Sequence, residues 1–280
     1  MTKKRKAGWW VSRGVCLAVI AVVLIVTLFP LYWIIMTSFK TYEESISFPP
    51  TLLPAQWSLT GYQEILSVPQ MTRSFFNTVI YAVVGVFFSV LFATMAGYAF
   101  AKYRFRGNRI LFLLTLSVVM IPTQVTFIPV FLTISDWGWV NTFLGLIIPK
   151  LPNAFGIFLV RQFARGIPDA LFESARIDGA GEFRNFASIF VPLAFPAITT
   201  LTVMDFMAKW NDLFWPLIVT TTPEMQTLQY TLITATRSKY DIYWNELCAG
   251  MLLSMIPILL LYIFFQKYFT QGIASVGVKG

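Results

Sequence analysis

Histidine is absent from the 280 residues, cysteine occurs twice, and charge is scarce at 12%. Each shortage excludes something. Without histidine, no Ser/His/Asp or Cys/His nucleophile pair can form. With only Cys16 and Cys248 beside it, no zinc or haem spacing exists. A carboxylate-only enzyme survives that test, but the acids do not cluster within the apolar segments. We expect no catalytic residue, no metal site and no cofactor held by this chain. There is also no Gly-x4-Gly-Lys-Ser/Thr phosphate loop, so any nucleotide motor must be another polypeptide. A soluble domain is nearer one quarter charged. At 57% hydrophobic and a mean hydropathy of +0.69, this chain reads as an integral membrane protein.

The net charge of +8 could point to nucleic acid. The cations instead cluster beside apolar runs, the pattern that orients membrane proteins, and no soluble basic stripe with interleaved aromatics occurs. We expect six spans, at about 14–38, 75–101, 110–134, 143–163, 186–208 and 246–269. The basic start Met1–Arg13 imitates a signal peptide, but its apolar run is too long and no small-x-small site follows. Fifteen of the 21 cations and four of the 13 acids fall on the side shared by both termini. That side is therefore expected to be cytoplasmic. The loops 39–74 and 209–245 then lie outside, and residues 164–185 form the largest inner connector. The reading is an all-α, polytopic, multi-pass bundle in a single domain spanning 1–280, with no repeat and the bilayer as its surroundings. Cys16 and Cys248 fall near opposite faces, too far apart for a bridge across a layer roughly 30 Å thick.

The inner connector is short, charged and Gly-punctuated. Pro168 suits a first helical turn, and Asp169 and Glu173 suit the positive end of the helix dipole. Leu171, Phe172 and Ala175 should share a face, and Asp178-Gly179 should stop the helix after about three turns. A second helix should begin near Ala180. By spacing alone this is an ordinary interfacial helix or a docking helix. Glu173-Ser174-Ala175, Asp178-Gly179-Ala180, Ile189 and Pro192 resemble the Glu-Ala-Ala loop of ABC-importer permeases, with Ser174 and Val191 as mild departures.

Seven prolines lie at membrane depth: Pro122, Pro129, Pro149, Pro152, Pro192, Pro196 and Pro257. Each should kink or break its helix. Taken as a set they suggest broken helices along a path; packing kinks are the alternative. Asp205 and Lys209 can pair at i, i+4, or snorkel to the outer interface, which is the simpler expectation. Asn77, Gln124 and Asn153 could meet solute hydroxyls, or, more commonly, neighbouring helices. Trp210-Asn211-Asp212 resembles a Trp-Asn-Asp/Glu-Phe segment of carbohydrate permeases, although Leu213 precedes Phe214. The ending Gly272–Gly280 resembles that subfamily's Val-Lys-Gly tail.

The resemblance runs over essentially the whole chain. It is to the smaller permease subunit of binding-protein-dependent carbohydrate ABC importers, of the type I importer fold. It implies a bacterial cytoplasmic (inner) membrane location, a second and related permease, two ABC ATPase subunits that use ATP and Mg, and an extracytoplasmic solute-binding protein. It implies that Glu173, Ser174, Ala175, Asp178, Gly179 and Ala180 couple to the ATPase. There the 220–245 loop would reach into the binding protein and the tail would lie along the ATPase dimer. Asn77, Gln124, Asn153, Asn211 and Asp212 are candidates for the binding-protein or solute path. Other readings are an ABC permease for amino acids, peptides or phosphate, a stand-alone carrier or channel, and a structural scaffold. The lack of a midplane charge relay argues against the carrier, and a scaffold has no use for a coupling loop.

Overall fold

The computed structural model describes the backbone of residues 3–277 and the side chains of residues 13–266. The helices in chain order are α1 (Lys3–Ser38), α2 (Tyr42–Ser45), α3 (Thr60–Ser67), α4 (Met71–Lys102), α5 (Asn108–Val119), α6 (Thr123–Asp136), α7 (Phe143–Ile147) and α8 (Ala154–Arg165). They continue with α9 (Ala170–Ile177), α10 (Glu182–Arg184), α11 (Val191–Leu193), α12 (Phe195–Trp210), α13 (Phe214–Val219), α14 (Leu228–Ala235) and α15 (Trp244–Gly277). Among the described residues there is no strand beyond an isolated Arg237–Ile242 bridge. Helices pair most of their backbone groups within their own segment, which suits lipid.

The chain forms two compact units. The first comprises residues 1–68 and 232–255, the second residues 69–231 and 256–280. In the first unit, α1 from Arg13 to Ser38 is long and apolar enough to cross a membrane, and its residues from Val15 to Phe29 are exposed. At its end Lys40 is buried: its Nζ donates to the Thr51 carbonyl at 2.6 Å and lies 4.8 Å from the Trp33 ring centre. Cys16 is exposed and Cys248 buried, both as free thiols.

In the second unit α4 is the central post. It is apolar, 32 residues long, and packs against both α8 and α12. Three further segments are bent pairs. Residues 108–136 turn by 100° at Met120–Pro122, residues 143–165 by 42° around Leu151–Asn153, and residues 182–210 by 78° at Ala194. The prolines expected to kink or break their helices differ in where they fall. Pro122 ends one helix and precedes the next, whereas Pro129 and Pro257 sit inside continuous helices. Pro196 occupies the first turn of α12, where its missing N–H has no intrahelical partner to lose. A run of π-helix, Asn185–Phe190, leads into the bend.

An aromatic cluster in this unit surrounds Tyr98. Its ring lies 4.6 Å from Phe190, 5.5 Å from Phe186, 5.8 Å from Phe172 and 5.6 Å from Tyr103. Leu201, Val160 and Ala164 complete the cluster from α12 and α8. Aromatic groups of this size dominate core energetics. Phe190→Ala, at a position with no solvent exposure, is expected to cost about 3–5 kcal/mol, while Phe183→Ala, at an 82% exposed position, should stay within about 0.5 kcal/mol. Denaturation of the purified chain in detergent would test the contrast; equal costs would refute this placement of the core.

Candidate functional site

The connector between α8 and α12 is built outward from α4. Lys102, the last residue of α4, has a side chain only 5% exposed. Its ammonium donates to the Ile167 carbonyl at 2.5 Å and to Asp169 Oδ1 at 2.6 Å, and lies 5.1 Å from the Phe172 ring centre. That cross-tie fixes the start of α9. Asp169, not Pro168, is the residue flanking the helix, and Pro168 lies one position before it. The Lys102 hydrogen bond, then its charge, holds the Asp169 carboxyl below the ordinary carboxylate range.

α9 has eight residues, about two turns rather than the expected three. Phe172 is buried beneath Tyr98 and Ala175 is half-buried, but Leu171 is exposed, so the expected three-residue face reduces to two. The helix ends in a Schellman closure. The Gly179 N–H donates to Arg176 O at 3.0 Å and the Ala180 N–H to Ala175 O at 2.8 Å. Gly179 sits at φ +80°, where a side chain would be strained. Beyond the turn, Glu182 accepts from Arg176 Nε at 2.9 Å and Nη2 at 3.3 Å, and from the Tyr103 hydroxyl. Glu182 raises the Arg176 pKa through that hydrogen bond. Burial, followed by the Glu182 hydrogen bond, raises that of Tyr103. The next helix begins at Glu182 instead of Ala180.

Glu173, Ser174, Asp178 and Gly179 are all exposed, and Ala180 is half-buried. Ser174 Oγ donates to Leu171 O at 3.1 Å, within its own helix. Two residues that sequence pattern did not single out project beside them: Ile177 at 86% and Phe183 at 82% exposure. Their signal was an apolar side chain on each side of Asp178-Gly179, in a segment otherwise charged or small. The result is a polar and apolar knuckle on a rigid root.

The path candidates disperse. Asn77 is buried, and its Nδ2 donates to the carbonyls of Glu224 and Gln226 at 2.8 and 2.9 Å. It clamps the stretch before α14. Gln124 is exposed in the first turn of α6. Asn211 is exposed, and its Nδ2 donates to Met207 O at 2.9 Å. The other two meet charges. Asn153 caps α8 through Gly156 N at 2.7 Å and donates to Asp205 Oδ1 at 3.3 Å. Asp212 accepts from the Tyr81 hydroxyl at 2.9 Å and lies 3.5 Å from Lys150 Nζ.

Asp205 and Lys209 do pair, at 2.7 Å, but they do not snorkel: their side chains are 9% and 5% exposed within the unit. Lys209 runs over Gly85, where a Cβ would stand 2.9 Å from its Cε. A bare α carbon on α4 makes room for the lysine stem. Asp205–Lys209 and Asp212–Lys150 thus bring two ion pairs to α12 and its C-terminal flank, a grouping that the linear order of acids concealed.

The sequence and fold can be matched to known proteins. A family model described as "Binding-protein-dependent transport system inner membrane component" matches residues 85–275. The chain belongs to that family. The permease is 35% identical to the arabinooligosaccharides transport system permease protein AraQ of Halalkalibacterium halodurans, over 93% of this chain and 94% of that one. It is 28% identical to the diacetylchitobiose uptake system permease protein NgcG of Streptomyces coelicolor, over 90% and 84%. Its structure superposes with TM-score 0.81 and 26% identity on a chain of a bacterial ABC transporter involved in the import of the acidic polysaccharide alginate, covering 96% and 99%. The permease therefore has the type I ABC importer permease fold and is an inner-membrane component. It is a membrane component of a transport system.

Two outcomes are expected. Asp205→Asn or Lys209→Met alone leaves a buried charge unpaired and should cost about 3–5 kcal/mol, while the double replacement Asp205→Leu with Lys209→Met should recover most of it. A double-mutant cycle on detergent stability measures this; additive losses would place both groups in water. The second concerns pH. Asp169's lowered pKa means that its tie to Lys102 stabilises above the ordinary aspartate value of about 3.9 and fails as pH falls through the folded value. Amide exchange in α9 should accelerate over that window relative to α8, and Asp169→Asn should abolish the dependence.

Proposed function

We propose that this permease is the transmembrane subunit of an ATP-driven importer for a sugar or oligosaccharide. It would line the translocation path with a second, related permease. Two ABC ATPase subunits would burn ATP with Mg beneath it, and an extracytoplasmic binding protein would deliver solute from above. The observation that carries the reading is the knuckle at α9. Its root is immobilised by Lys102–Asp169, Phe172 under Tyr98, and Arg176–Glu182, while Glu173, Ile177, Asp178, Gly179 and Phe183 stand free. A rigid root transmits displacement, and a free crown can seat in another protein.

On this reading ATP binding closes the ATPase pair, and the seated knuckle moves with it. Displacement passes through Phe172 and Tyr98 into α4, and through the π-helical run into α12. The bent pairs absorb the change at their breaks, and the path opens outward. Glu173 offers its carboxylate to donors on the ATPase. Ile177 and Phe183 fill apolar recesses there, and Ser174, Ala175 and Ala180 keep the contact narrow. The path would run near the pairs Asp205–Lys209 and Asp212–Lys150, with Asn153 between helix cap and carboxylate. Asn77 clamps a loop instead, so it is assigned to shaping the outer mouth. The sugar assignment rests on the Trp210-Asn211-Asp212 segment and on the oligosaccharide names of the relatives. The ending 278–280 that also suggested it lies outside the described residues.

The test is Gly179→Asp in the reconstituted complex. The substitution strains the φ +80° turn and adds a charge to the crown, and it should leave assembly intact but reduce ATP-coupled uptake at least tenfold. Ile177→Ala with Phe183→Ala should weaken ATPase retention, since truncating two central apolar anchors typically costs more than about 1 kcal/mol each. Normal coupled uptake in Gly179→Asp would overturn the coupling assignment.

A further inference from the structure

Five arginines meet at the end of α4 where α9 is rooted. Arg104, Arg106 and Arg109 come from the α4–α5 connector and the start of α5; Arg161 and Arg165 come from the last turns of α8. Together they line an open groove of about 810 Å³. Phe100, Tyr103 and Phe105 give it an aromatic wall, with Phe100 6.1 Å from Phe105, and buried Phe112 lies behind at 5.6 Å from Phe100. The Arg161 guanidinium lies 3.7 Å from the Phe112 ring centre, and its Nε donates to Phe100 O at 3.4 Å. That half-buried arginine is held by rings and a carbonyl, not by an acid.

Among the described residues no carboxylate lines the groove. Among the described residues none of the five arginines is within ion-pair distance of an acid, whereas nearby Lys102 and Arg176 each hold one. Five like charges in one concavity raise its potential, and an anion relieves it. The groove also opens onto an apolar face. α5 leaves it with Ile110, Leu113, Leu114 and Val118 more than half exposed. A free anion uses only the charged part of this arrangement. An amphiphile uses both, with phosphate among the guanidinium groups and chains along α5. Arginine suits phosphate because its planar fork presents paired donors.

We propose that this groove binds the headgroup phosphate of an anionic membrane lipid, with the acyl chains lying on α5. Basic recesses at the inner leaflet favour such headgroups, by about 1 kcal/mol for each cation. The site sits beside the root of α9, so an occupied groove would steady the same end of α4 that anchors the knuckle.

The test is binding of fluorescent phosphatidylglycerol, against phosphatidylcholine, to the full importer complex in detergent. Wild type should prefer phosphatidylglycerol. Arg104→Gln with Arg109→Gln should weaken it about 25-fold, near fivefold per cation, and Arg165→Gln alone about fivefold. Arg237→Gln, far along the chain and exposed, should change nothing. Equal binding of the two lipids, or unchanged binding in the double variant, overturns the proposal. So does inorganic phosphate displacing the lipid at comparable concentration, which would make this a soluble-anion site. Loss of a partner subunit from the double variant with lipid binding intact would mark a protein-docking face and also overturn it. A complex that binds the lipid yet fails to import leaves the proposal standing, because it does not depend on α9's coupling role.

Discussion

A charge withdrawn from water has to be met by an opposite charge or by an oriented carbonyl, and three lysines of this permease obey that constraint in different ways. Lys40 turns to a loop carbonyl and an indole face. Lys102 bridges a carbonyl and a carboxylate across the start of α9. Lys209 closes on Asp205 one turn away. The cost of leaving any of them unpaired is several kcal/mol. These positions are consequently fixed points to which neighbouring segments are tied. Lys102 matters most, because one ammonium joins the end of the longest helix of its unit to the connector that carries the exposed knuckle.

The bends follow a related logic of satisfying backbone groups. Proline removes a donor, but the consequence depends on where the neighbouring carbonyl finds relief. At Pro122 the helix stops and restarts at 100°. At Pro129 the helix continues through Asp136. Near Ala194 the bend is prepared by the π-helical run and completed by Pro196 in the next first turn. Bent pairs of this kind place chain breaks at membrane depth, where a transporter can change shape without unwinding a whole span.

Much of the α9 knuckle was legible in sequence because its geometry is local. A glycine after Asp178 predicts a left-handed turn, and the acids and prolines around it predict the helix it ends. The rooting was not legible. Lys102 and Asp169 are far apart in sequence, as are Tyr98 and Phe172, and nothing in their spacing forecasts contact. Ile177 and Phe183 looked like ordinary apolar residues until their exposure was known. Asp205 and Lys209 illustrate the reverse error. Their i, i+4 spacing announced the pair, but whether it lay in water or in protein depended on Gly85 of α4 leaving room.

The sequence alone determined the helical class, the run of apolar segments, the family, and the turn that closes α9. The class, the segments and the turn follow from composition and short-range periodicity, which act within a few residues; the family came from the resemblance carried by the Glu173–Pro192 motif. Tertiary structure decided which prolines break a helix, which asparagines clamp loops instead of facing a path, and which charges are buried. Those outcomes depend on side chains brought together from distant parts of the chain, and burial and pairing are properties of a neighbourhood that no single segment contains.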